Sequence, residues 1–138
     1  MTELEQRRKL VRAWLGRANQ DIQAAEVLNQ YQASFPDVIF FHCRQAAEKA
    51  LRAYLQWAGV PPPQTHDIAL LLGLCAELQP SLEEAAEACR ALRSPAADPL
   101  EGPEDALLPP DEALEYAHHV LDCVTWTLPY SATVDQAD

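Results

Sequence analysis

The side chains best suited to chemistry gather in one stretch, where His42, Gln45, Glu48, Lys49 and Arg52 lie three or four residues from one another. That interval places them side by side on a helix. Glu48 and Arg52 can pair at i,i+4, a contact that contributes only about 0.3–0.5 kcal/mol on an exposed face. Upstream, Asp21 lies between Ala18 and Ala25, close to an apolar stripe. Burying a carboxylate there costs several kcal/mol unless a partner offsets it. His66 follows Pro61-Pro62-Pro63 and either links or caps the next element, or projects toward the strip. Three arrangements fit these residues: a solvated charged face, a polar cleft between two helices, or the hydrogen-bonded seam of a homodimer.

Other chemistries find no foothold. The four cysteines Cys43, Cys75, Cys89 and Cys123 form no C-x-x-C pair. Each falls in an apolar helical pattern, where a free thiol behaves as a small buried hydrophobe. His118 and His119 sit on the last helix and are not expected to hold a metal. Gly-rich phosphate loops, a nucleophile elbow and an H-E-x-x-H zinc helix are all missing, and no cofactor is expected.

Ten basic against 21 acidic residues give the 138-residue chain a net charge of −11. Such a surface repels polyanions and argues against DNA binding. The charge is unevenly spread, however. Arg7, Arg8, Lys9, Arg12, Arg17, Arg44, Lys49 and Arg52 are eight of the ten cations. The N-terminal half therefore tolerates an anion better than the acidic C-terminal half does. No apolar run approaches the roughly 18 residues that span a bilayer, and the charged first segment lacks a secretory h-region. No membrane partner and a cytoplasmic location are expected.

The elements that must position these residues read as helices throughout. Thr2-Glu3-Leu4-Glu5 has the form of a capping box, followed by Leu10, Trp14, Ala18, Ile22, Ala25 and Leu28 on one face of a helix over 3–29. A second helix starts at Pro36-Asp37, carries Phe40, Cys43, Ala47, Ala50, Tyr54 and Ala58, and stops at Gly59. The third, over 67–78, is apolar on nearly every side and is expected to be buried on several. Ser81-Leu82-Glu83-Glu84 suggests another capping box, opening a helix over 81–92. Five prolines between Ser94 and Pro110 make that stretch an extended loop. A fifth helix begins at Pro110, with Leu114, Ala117, Leu121, Val124 and Leu128 on one face. These elements predict an all-α fold, an up-and-down-like bundle of four to five helices over 1–129, with a frayed tail over 130–138.

The segment Phe41-His42-Cys43-Arg44-Gln45-Ala46-Ala47-Glu48-Lys49-Ala50-Leu51-Arg52-Ala53-Tyr54-Leu55, followed by a Pro-rich turn and His66-Asp67-Ile68, resembles the HEPN domain family. The second helix of that family reads approximately F-H-x-Q-Q-A-A-E-K-A-L-K-A, and a His opens the next. Trp14, Ala18, Asp21, Ala25 and Leu28 also stand at the family's places on helix 1. The likeness is close over residues 10–75. It weakens in the last third, where the family often has an A-R-Y-P-D-like segment. Leu92-Arg93-Ser94-Pro95 keeps the Arg and Pro of that segment but not the Tyr.

The resemblance implies a bundle that commonly dimerises and associates with nucleotides or RNA, often as partner of a small nucleotidyltransferase in toxin–antitoxin operons. Many members are metal-independent ribonucleases that use an Arg, a gap of four to six residues, and a His. In that chemistry an imidazole deprotonates a 2′-hydroxyl while a guanidinium steadies the phosphorane charge. This chain departs from the motif: the positions where a His should follow Arg93 are Asp98, Pro99 and Leu100, and the next His is His118. Loss of a general base typically lowers a rate by about 10²–10⁴.

The leading expectation is therefore a non-catalytic, homodimeric nucleotide- or partner-binding module. Its polar lining would be Asp21, His42, Gln45, Glu48, Lys49, His66 and Arg93. The alternatives are a ribonuclease toxin that pairs His42 or His66 with Arg93, and a purely structural homodimerisation module.

Overall fold

Thr2 starts the first helix by the reciprocal bonds of a capping box. Its Oγ1 accepts from the Glu5 backbone N–H at 3.1 Å, and the Glu5 carboxylate accepts from the Thr2 N–H at 2.9 Å. In the computed structural model, which describes residues 2–31, 35–93 and 108–134, this helix is α1 (Glu3–Gln30). It is followed by α2 (Pro36–Ala58), α3 (Ile68–Leu78), a 3-10 segment (Pro80–Ala85), α4 (Ala86–Ala91), α5 (Pro110–Thr127) and α6 (Tyr130–Thr133). No strand occurs among the described residues, so the all-α expectation holds with one short helix more than foreseen. No helix is long and apolar enough to cross a membrane among these residues.

α1 and α2 form the most extensive contact in the molecule. Arg7 reaches Trp57, Trp14 meets Arg52, and Asp21 meets Lys49 and His42. Numbers rise along one helix as they fall along the other, so the two run antiparallel. α2 also packs against α5 and α3, and it buries Ile39, Phe40, Cys43, Ala46, Ala47, Ala50, Leu51, Ala53, Tyr54 and Leu55. That wide buried face makes α2 the spine of the bundle. Gly59 ends it at φ +76°, a left-handed conformation that only Gly adopts without penalty.

Several expectations shift in detail. The buried stripe of α1 is Val11, Leu15, Ala18, Ile22 and Ala25, one position away from Leu10 and Trp14 at its start. Leu10 is exposed and Trp14 lies half-buried at the edge. α3 buries Ile68, Leu71, Leu72 and Cys75, but Leu70 and Leu78 are exposed, so it lies at the margin of the bundle rather than deep inside it. Ser81 does not cap a helix: Pro80 opens a 3-10 segment with no side-chain cap, and α-helix begins only at Ala86. The start of the expected frayed tail is ordered, because α6 packs on α1 and buries Ala132 completely. The Pro-rich loop expected after Ser94 and the last four residues lie outside the described residues.

Cys43, Cys75 and Cys89 are buried free thiols, as the apolar patterning suggests. Burial pushes each of them up to about 12, so they stay protonated and act as packing groups. Cys123 is half-buried, and its thiol is also raised, first by burial and then by Glu84 and Asp122.

Candidate functional site

Asp21 is buried on the apolar side of α1, and two groups from α2 reach it. Lys49 Nζ donates to Oδ2 at 2.6 Å, and His42 Nδ1 meets Oδ1 at 2.8 Å. An ionised carboxylate only accepts, so Nδ1 carries a proton and donates it. The His42 Nε2 is thereby left for another partner, at a ring that is 27 % exposed. The antiparallel register explains the convergence. His42 and Lys49 are two helical turns apart on one face of α2, and Asp21 projects between them from α1. Together they offset the desolvation that would make a lone buried carboxylate untenable.

A second carboxylate is handled from a different direction. Glu48 is buried, and its Oε1 accepts from His66 Nδ1 at 2.9 Å, while the His66 side chain itself is 80 % exposed. His66 sits in the connection between α2 and α3. The same connection is held by Arg52, whose guanidinium donates to the backbone carbonyls of Pro63 at 3.2 Å and Thr65 at 2.5 Å. Arg52 therefore does not pair with Glu48 as their i,i+4 spacing suggests. Asp67 completes this corner by capping α3, its carboxylate accepting from the Ala69 and Leu70 N–H groups.

Trp14 adds an aromatic wall to the seam. The Arg17 guanidinium lies 5.5 Å and the Arg52 guanidinium 6.0 Å from its ring centroid, within cation–π range. The acceptors of Arg52 are neutral carbonyls, and Arg17 has no carboxylate partner among the described residues. Arg17, Lys49 and Arg52 thus bring three cations to the seam that also holds Asp21 and Glu48.

Of the seven side chains expected to line a site, five are brought into bonded contact in two groups: Asp21, His42 and Lys49, and Glu48 with His66. Gln45 is half-buried on the same α2 stripe and makes no side-chain hydrogen bond among the described residues. Arg93 is exposed just beyond α4, which packs chiefly on α3 and α5, and no hydrogen bond or ion pair joins it to the seam. Sequence reasoning left Trp14 and Arg17 out of the site. Their signal was present: Trp14, Arg17 and Asp21 are spaced three and four apart, one face of α1 turned toward the α2 strip.

No group of three or more His, Cys, Asp or Glu side chains is disposed to hold a metal among the described residues. What the seam offers is cationic donors, an aromatic face and carboxylate-oriented imidazoles, a set suited to a phosphate-bearing ligand. In comparison with known proteins, a family model described as HEPN domain matches residues 11–125. No curated protein and no solved structure matches the chain.

Proposed function

The chain belongs to the HEPN domain family, and from that premise we propose that it is a nucleotide-binding module whose site is the α1–α2 seam. In this reading it works beside a small nucleotidyltransferase in a toxin–antitoxin-type pair, as the family resemblance implies. The observation that carries the reading is the placement of Arg17, Lys49 and Arg52 around Trp14 and Asp21. Lys49 and the two guanidinium groups supply donors for phosphate oxygens, and Asp21 and Glu48 hold the surrounding cations and imidazoles in place. The family's Arg–His ribonuclease spacing is missing from the sequence, which favours binding over cleavage.

Arg17 provides the cleanest test, since it is exposed and its contact is the Trp14 ring. ATP and GTP titrated calorimetrically into the parent should bind, and Arg17→Ala should weaken binding about tenfold, the loss of one charge-assisted contact. Equal heats from parent and variant, or none from either, would remove the seam as a nucleotide site.

One observation favours a second reading, that of a ribonuclease. His42 is held through Nδ1 by Asp21 with Nε2 free, the orientation a general base needs. Incubation with total RNA in EDTA separates the two: cleavage that disappears in His42→Ala would make the chain an enzyme, and intact RNA leaves it a binding module.

A further inference from the structure

At the end of the bundle formed by α5, α6 and the 3-10 segment, Trp126 is 87 % exposed and Tyr130 is 71 % exposed. A large aromatic side chain that exposed is uncommon and marks a contact surface when polar groups rim it. Here Trp126 stands between two cavities. One, of about 280 Å³, is lined by Asp122, Leu128 and Tyr130 among others, and the second, of about 360 Å³, by Glu84, His119 and Cys123.

The polar groups around Trp126 define what fits. The hydroxyls of Thr125, Thr127 and Thr133 already donate to the carbonyls of Leu121, Val124 and Tyr130. His119 directs Nε2 to the Glu84 carbonyl at 3.1 Å. The hydroxyl oxygens can still accept, and the carboxylates of Glu84 and Asp122 have no ion-pair partner among the described residues. The surface is therefore rich in acceptors, acidic through Glu84 and Asp122, and walled by an aromatic ring. A guanidinium or ammonium group matches these properties: it brings donors and charge, and it stacks on the indole face.

We propose that the Trp126 face is a docking surface for a basic segment of a partner protein, with an Arg or Lys side chain stacked on Trp126 between Asp122 and Glu84. This surface is separate from the α1–α2 seam and selects a ligand of opposite charge. The probe is a short fluorescein-labelled peptide of alternating Arg and Gly, followed by anisotropy with the full chain and with Trp126→Ala, which carries the same net charge. The parent binds, and Trp126→Ala binds about tenfold more weakly, as truncation of an aromatic hot spot does. Equal affinity in both would reduce the interaction to general attraction toward an acidic chain and overturn the proposal. So would an absence of binding by the parent. Sedimentation of the parent alone provides the remaining check: self-association abolished by Trp126→Ala would make a second copy the occupant and would equally overturn it.

Discussion

Along the α1–α2 seam both buried carboxylates have a cation or an imidazole against them, whereas around Trp126 neither Glu84 nor Asp122 has an ion-pair partner among the described residues. The difference follows from depth. Asp21 and Glu48 are out of water, where an unpaired charge costs several kcal/mol, so the fold must supply partners from its own chain. Glu84 and Asp122 remain solvated and need none. A paired interior site is fixed in geometry before any ligand arrives. An unpaired exterior one is a surface whose charge remains to be satisfied from outside. The same chain thus presents a preorganised, internally paired seam and an acidic, open face.

The comparison breaks first at Lys49. Lys49→Ala leaves Asp21 buried with His42 alone, and urea unfolding should show a loss of roughly 3 kcal/mol, the lower end of the range for one partner removed from a buried pair. A loss below about 1 kcal/mol is the signature of an exposed pair and would place the seam in the same class as the Trp126 face. Next comes Gly59, at the end of the helix that carries the strip. A Cβ there meets Arg7 Nη2 at 3.2 Å, in a backbone conformation that L side chains rarely adopt. Gly59→Ala should cost about 1–2 kcal/mol in the same experiment, and an unchanged midpoint would show that the α2 end can rearrange. The smallest effect belongs to the exterior. Trp126→Ala should alter stability by less than about 0.5 kcal/mol, and a larger loss would mean that its ring supports the fold instead of facing a partner.

Local signals made much of this architecture legible in the sequence. Thr2 with Glu5, Pro36 at the head of α2 and Gly59 at its end act over a few residues, and each performs the role its chemistry suggests. Ser81 failed because Pro80 and the neighbouring turn favoured a 3-10 start, so the serine–glutamate spacing produced no cap. Tyr130 and its neighbours show no long period, and the burial of Ala132 against α1 is a tertiary event that no local pattern announces. At the site, the polar strip of α2 and the awkward depth of Asp21 could be read from spacing alone. Their pairing could not. It depends on the register between α1 and α2, which sets Asp21 between His42 and Lys49 and turns Arg52 toward the Pro63 and Thr65 carbonyls. Arg93, placed in the lining by resemblance, is joined to the seam by no bond among the described residues.

We propose that the seam is polar in order to bind, not in order to fold. Buried ion pairs replaced by apolar groups of similar volume often leave stability unchanged or raise it. The most direct measurement is therefore a triple variant, Asp21→Leu, His42→Leu and Lys49→Met, followed by thermal unfolding and by calorimetric titration with ATP and GTP. A melting temperature at or above that of the parent, with nucleotide binding lost, is the predicted result. A variant that melts well below the parent, or one that folds and still binds nucleotide, would contradict the account.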